Sequence, residues 1–163
     1  MNKNTTKNTE NTEVRKKLND LTKSVIGAAI EVHRALGPGL LESAYEICFC
    51  RELNLREIRF QRQVPIPLEY KGVKLDCGYR SDVIVEETLL LELKAVDALL
   101  PIHEAQLLSY LKLTGLNVGL LINFNVELLR DGICRRVLNS GPPLFSSVRF
   151  APSVVNSNSD HAI

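Results

Sequence analysis

A chain of 163 residues with 45% hydrophobic and 24% charged side chains has the composition of an ordinary globular domain, long enough to bury a core of its own. A formal charge of +1 is too small to mark the whole molecule as a polyanion binder, although local basic clusters remain open to that use. The N-terminal stretch carries charge but no apolar signal core, and no apolar run approaches a membrane span. The expected setting is therefore cytoplasmic, away from membranes.

Residues 1–13 are rich in Asn, Thr and Lys and are expected to form a disordered tail. From Val14 the apolar positions Leu18, Leu21, Val25, Ala28, Val32 and Leu36 recur every three or four residues, which predicts a helix. The "GPG" at 37–39 ends it. A second helix is predicted over 40–53, with Leu41, Ala44, Ile47, Cys48 and the stem of Arg51 facing inward.

The period then changes. "IRFQRQVPIPLEY" alternates in part, and its prolines predict an edge or interrupted strand. "YKG" is a turn, "VKLDCGYRSDVIV" a strand broken near Gly78, "EE" another turn, and "TLLLELKAV" the returning strand. Pro101 and Gly115 bracket a third helix, "NVGLLINF" reads as a strand buried on both faces, and "GICRRVL" as a last strand. The expected fold is an α/β domain with a mixed sheet over residues 14–138, followed by a peripheral or flexible tail at 139–163. Cys48, Cys50, Cys77 and Cys134 contain no C-x-x-C pair, so free thiols are expected rather than a zinc site or disulfides.

The segment "SDVIVEETLLLELKA" threads charges into strand-like sequence. Pairing Val85 with Leu89 around Glu86, Glu87 and Thr88 puts Asp82 opposite Glu92, and alternation puts Lys94 on the face of Glu92. Ile84 and Leu90 share that face, so its carboxylates are costly unless paired or metal-bound. Two hard oxygen ligands suit Mg²⁺ or Mn²⁺, and a lysine beside them can position a water or balance negative charge. The competing explanation is a set of turn-flanking surface charges with one salt bridge, because an acidic-x-lysine triplet also arises by chance.

Two neighbours bear on that choice. Gln106 and Tyr110 lie four residues apart on the displayed face of the third helix, beside a stripe of Leu107, Leu108 and Leu111, and either brace Lys94 or a phosphate or are ordinary helix surface. Gly39, Glu42 and Tyr45 open the second helix. Glu42 sits where the helix dipole favours a negative charge, and Tyr45 is placed to pack inward. His33, near the end of the first helix, fits a structural role, with metal ligation as the alternative.

Taken together, these residues resemble the GxxExxY proteins of the PD-(D/E)XK nuclease superfamily. The pattern is "GLLESAY" at Gly39, Glu42 and Tyr45, then Asp82, then "ELK" at Glu92 and Lys94. "QLLSY" at Gln106 and Tyr110 is similar to a motif of RecB-like members. Ser81 stands where the superfamily's leading proline would be, and no iron–sulfur cysteine arrangement accompanies the motifs.

The resemblance covers about residues 20–138 and implies a restriction-endonuclease-like core, a mixed sheet flanked by helices. It also implies Mg²⁺- or Mn²⁺-dependent hydrolysis of phosphodiester bonds in nucleic acid, DNA being favoured over RNA. Asp82, Glu92 and the backbone carbonyl of Leu93 would hold the metal, with Glu42 and then His33 as further candidates, and Lys94 would position the attacking water. Gln106 and Tyr110 would complete the site. The candidate phosphate contacts are Arg51, Arg56, Arg59 and Arg62, then Lys71, Lys74 and Arg80, then Arg135 and Arg136, the alternative being ordinary solubilising surface charge. No base-reading module is visible. The alternative is a catalytically silent nuclease-like fold that binds nucleic acid or a protein partner in a regulatory role.

Overall fold

The computed structural model describes residues 3–76 and 78–138, with side chains from residue 12 onward. Cys77 and the expected tail at 139–163 lie outside the described residues. Helix α1 (Lys3–Leu36) begins earlier than the apolar spacing marks. From Lys3 its backbone continues the helix through the stretch whose composition predicts a disordered tail, because extending an existing helix fixes only one more residue per added bond. Val25, Ala28 and Val32 are buried and Leu18 and Leu21 partly so, as the spacing predicts. Gly37, at φ 67°, closes the helix by donating its N–H to the His33 carbonyl.

Helix α2 (Glu42–Leu55) follows, then β1 (Phe60–Pro65), β2 (Leu68–Tyr70), β3 (Val73–Leu75), β4 (Arg80–Val85) and β5 (Leu89–Lys94). Helix α3 (Pro101–Thr114), β6 (Val118–Asn123), a 3₁₀ turn (Leu129–Gly132) and β7 (Ile133–Val137) complete the chain. The main sheet has the order β1-β4-β5-β6-β7, while β2 and β3 form a separate small hairpin. Among the described residues only the β5–β6 pair is parallel, and α3 is the crossover that a parallel pair needs. The sheet is therefore mixed, and proline-bearing β1 is its edge, as expected.

Strand alternation splits the core in two. Val83, Val85, Leu89, Leu91 and Leu93 pack with Val25, Ala29, Tyr45, Phe49 and Leu53 of α1 and α2. Ile84, Leu90 and Leu121 pack with Leu107, Tyr110 and Leu111 of α3 on the other face. A Cβ on Gly119 would lie 2.7 Å from Leu107, so glycine there is what lets α3 sit so close to β6.

The expected inward face of α2 holds only in part: Tyr45 packs inward as expected and Cys48 lies against the core, but Leu41 and Ile47 do not. Tyr45, Glu46, Phe49, Cys50 and Leu53 are buried, whereas Leu41 is 76% and Ile47 57% exposed. Apolar residues surround this helix, so spacing alone admits more than one stripe. The larger aromatic pair, Tyr45 and Phe49, takes the core.

Candidate active site

The β4–β5 turn sets the register of the site. Glu86 and Glu87 both adopt left-handed backbone, with φ of 48° and 54°, the geometry of the tightest hairpins. Val85 pairs with Leu89, Ile84 with Leu90 and Val83 with Leu91, the register read from the sequence. The ladder stops there. Instead of pairing through its backbone with Glu92, Asp82 accepts the Leu93 N–H on its carboxylate at 2.8 Å. On β5, Glu92 and Lys94 follow Leu90 in the alternation, and Glu92 is only 1% exposed.

Lys94 Nζ lies 3.7 Å from Glu92 and 4.0 Å from Glu42, which arrives from the first turn of α2. Both separations exceed a hydrogen bond, so the lysine compensates these carboxylates only in part. Glu92 Oε1 is buried and has no hydrogen-bond partner among the described residues. Burial, reinforced by the negative charge of Asp82, pushes the Glu92 carboxyl up to about 8. Burial also raises Asp82, against the Leu93 amide and Lys94, which pull it down. The ion-pair distance suggests an ionised Glu92 and the raised pKa a protonated one. The raised value governs, because a single lysine at these distances does not offset burial beside a second carboxylate.

This arrangement fits a divalent cation. A buried oxygen lacks a partner, carboxylates outnumber the cation among them, and all the donors are hard oxygens. Among the described residues, no group of three or more His, Cys, Asp or Glu side chains is placed to hold a metal by itself. Asp82 and Glu92 are the carboxylates that face each other here, and Glu42 and Glu92 both lie within 4.0 Å of Lys94.

The residues upstream place Glu42. Tyr45 is fully buried and stacks on Phe124 with ring centroids 4.6 Å apart. Its hydroxyl donates to the Gly37 carbonyl at 2.6 Å and accepts the Leu40 N–H at 3.1 Å, tying the loop before α2 to the helix. Gly39, at φ 98°, takes a backbone conformation that a side chain would strain. Within "GLLESAY", the glycine and the tyrosine shape the loop, and the glutamate reaches the charged cluster.

The remaining candidates bond elsewhere. Tyr110 is buried in the α3-side core, and Gln106 Nε2 donates to its hydroxyl at 3.0 Å. Among the described residues, neither makes a hydrogen bond to the carboxylates or to Lys94. Tyr110 was expected on the displayed side of α3. It is buried because Val64, Ile66, Ile84 and Leu90 supply an apolar bed for its ring. His33 Nε2 donates to the Val126 carbonyl at 2.8 Å. It borders a cleft of about 520 Å³ whose lining includes none of Asp82, Glu92 and Lys94.

Much of the basic surface is already paired. Arg56 binds Glu52, Arg59 binds Glu86, Arg62 binds Glu46 and Arg136 binds Glu104. Arg51, Lys74 and Arg80 make no ion pair among the described residues, and Lys71 Nζ lies 5.3 Å above the Tyr70 ring.

Two polar residues beside the site were not singled out by sequence. Glu46 is 7% exposed and binds Arg62 and Gln63, and its charge bears on Asp82. Its signal was a carboxylate next to Tyr45 on the side of the helix that turned out to be buried. Asn123, 1% exposed, accepts the Val96 N–H and donates to the Val96 carbonyl, fixing the chain just beyond Lys94. A lone polar residue at the end of an apolar strand was its only mark.

No curated protein and no solved structure gives a significant match to the chain. The family profile of the PD-(D/E)XK nuclease superfamily matches residues 19–137, a span that holds Glu42, Asp82, Glu92, Lys94 and every strand of the sheet. The chain belongs to the PD-(D/E)XK nuclease superfamily.

Proposed function

We propose that this protein is a metal-dependent nuclease of the GxxExxY type that hydrolyses phosphodiester bonds in nucleic acid, DNA being the favoured substrate. The observation that carries the reading is the buried, unpartnered Glu92 Oε1 beside Asp82 and the under-shared Lys94. Asp82, Glu92 and the Leu93 backbone carbonyl would hold Mg²⁺ or Mn²⁺, with Glu42 next in reach. Bound there, the ion supplies Lewis-acid polarisation of the phosphoryl group and neutralises charge on its oxygens.

The protein's own groups do the rest. The Leu93 N–H orients Asp82, and α2 delivers Glu42 to Lys94. Lys94 holds the attacking water and donates to oxygen as negative charge develops. Gln106 and Tyr110 act together, the amide setting the hydroxyl on the α3 side. Among the described residues, Arg51, Lys71, Lys74, Arg80 and Arg135 are the candidate cations that can meet phosphates without first breaking an ion pair. The free thiols Cys48, Cys50 and Cys134 suit a reducing, cytoplasmic setting. No helix among the described residues is long and apolar enough to cross a membrane.

The test is cleavage of labelled single- and double-stranded DNA, supercoiled plasmid and RNA, with Mg²⁺, Mn²⁺ or EDTA, by the native chain and by Asp82→Ala and Lys94→Ala. Metal-dependent cutting lost in both variants supports the reading, and the panel then names the substrate. Cutting that survives Lys94→Ala overturns the assigned mechanism. A second reading, a silent nuclease-like module that binds nucleic acid or protein, draws on the want of a three-side-chain metal group among the described residues. Tight nucleic-acid binding with no turnover in any arm would favour it.

A further inference from the structure

The pairing of β1 with β4 is interrupted at one point, and that point is opposite Asp82. The β1–β4 ladder pairs Phe60 with Val85, Gln61 with Ile84 and Arg62 with Val83, then resumes with Val64 against Ser81 and Pro65 against Arg80. The skipped pair is Gln63 and Asp82. Gln63 has φ of 49°, left-handed backbone that a non-glycine residue in a strand adopts only when something else holds it there.

That hold is visible. Glu46, nearly fully buried on α2, accepts Arg62 Nε at 2.9 Å on one carboxylate oxygen and Gln63 Nε2 at 2.8 Å on the other. One carboxylate thus grips both residues at the kink. Asp82 is also unpaired with β5, where the ladder ends at Val83 and Leu91. Released from both neighbours, Asp82 makes its hydrogen bond to Leu93 through the side chain. A regular β1 would present Gln63 to Asp82 as an ordinary ladder partner.

We infer that Glu46 is a positioning residue for the candidate active site: by gripping Arg62 and Gln63 it holds β1 in the kink that frees Asp82 from the sheet and turns its carboxylate toward Leu93 and Glu92. This rests on the reading of Asp82 and Glu92 as metal ligands. Glu46 itself need not touch metal or substrate. Its effect passes through the backbone of Gln63.

The kink separates this role from general stability. Glycine adopts left-handed backbone without strain, whereas a β-branched residue resists it. Mn²⁺ binding to the full-length chain, read from the free-ion paramagnetic resonance signal, is to be compared for Gln63→Gly and Gln63→Val, with melting curves alongside. Both lose the bond to Glu46, yet Gly is expected to bind Mn²⁺ as the native chain does and Val about 10-fold more weakly, as for the loss of a supporting contact around a metal. Glu46→Ala is expected to weaken binding similarly, and adding Gln63→Gly to it should return most of the loss.

Equal binding by the Gly and Val variants would overturn the inference. So would Glu46→Ala that melts lower yet binds Mn²⁺ normally. An Asp82→Ala control keeps the two levels apart. If it binds Mn²⁺ as the native chain does, the metal-site reading fails. If it loses binding while the Gln63 pair shows no difference, only the role of Glu46 fails.

Discussion

The two ends of the β4–β5 hairpin treat their carboxylates in opposite ways. At the turn, Glu86 accepts two guanidinium bonds and a backbone N–H from Arg59, and these bonds hold its carboxyl below the usual range. At the open end, Glu92 is almost fully buried, shares Lys94 at a distance with Glu42, and keeps one oxygen without a hydrogen-bond partner among the described residues. The first carboxylate is satisfied, and its bonds help hold the left-handed backbone of the turn. The second is a standing cost to the fold. Within one hairpin, the carboxylate that protein contacts already satisfy is structural, and the buried carboxyl left short of partners is the one on which the proposed metal chemistry rests.

The largest expected effect lies at the wanting end. Lys94→Ala should lower the Mg²⁺-dependent cleavage rate by about 100-fold or more, the scale of losing a group that stabilises developing charge. Arg59→Ala, at the satisfied end, should leave that rate unchanged. An equal loss from both would erase the contrast.

Next comes the pH dependence of the metal-free protein. The Glu92 carboxyl is raised from 4.5 to about 8 in the folded state, so the fold holds that proton more tightly than the unfolded chain does. The stability this group contributes is whole below pH 4.5 and is lost as pH rises through about 8. Each pH unit in that window costs ~1.4 kcal/mol at most. Urea unfolding in EDTA at several pH values should show this slope in the native chain and a flatter one in Glu92→Gln, which should also be the more stable at alkaline pH.

A smaller effect tests the loop that delivers Glu42. Tyr45→Phe leaves the Gly37 carbonyl and the Leu40 N–H without their hydroxyl partner, a loss of about 1–2 kcal/mol in urea unfolding for part-buried groups. Smallest is Glu86→Gly. It removes the Arg59 pair but relieves the left-handed strain at that position, so its unfolding midpoint should move least of all.

The parts of the molecule governed by short-range rules were legible in the sequence. Alternation about the Glu86–Glu87 turn gave the hairpin register and brought Asp82, Glu92 and Lys94 together. Pro101 and Gly115 marked the ends of α3, and the unbroken apolar run marked β6 as buried. What stayed hidden depends on long-range choices. Phe49, beside the expected Tyr45, took the core face of α2 in place of Leu41 and Ile47, and that choice carried Glu46 inward to Arg62 and Gln63. The kink at Gln63 follows from that grip and has no glycine or proline at the position to announce it. The bond from His33 to Val126 likewise joins residues that no local spacing relates.

The central claim is that Asp82 and Glu92 are held short of countercharge for a divalent cation. Calorimetric titration of Mn²⁺ into the native chain at pH 7, in two buffers of different ionisation heat, tests it most directly, with Asp82→Ala and Glu92→Gln alongside. The expected result is saturable binding by the native chain with release of the Glu92 proton, and loss of that binding in both variants. Absence of binding by folded native protein, or binding that survives both substitutions, would contradict it.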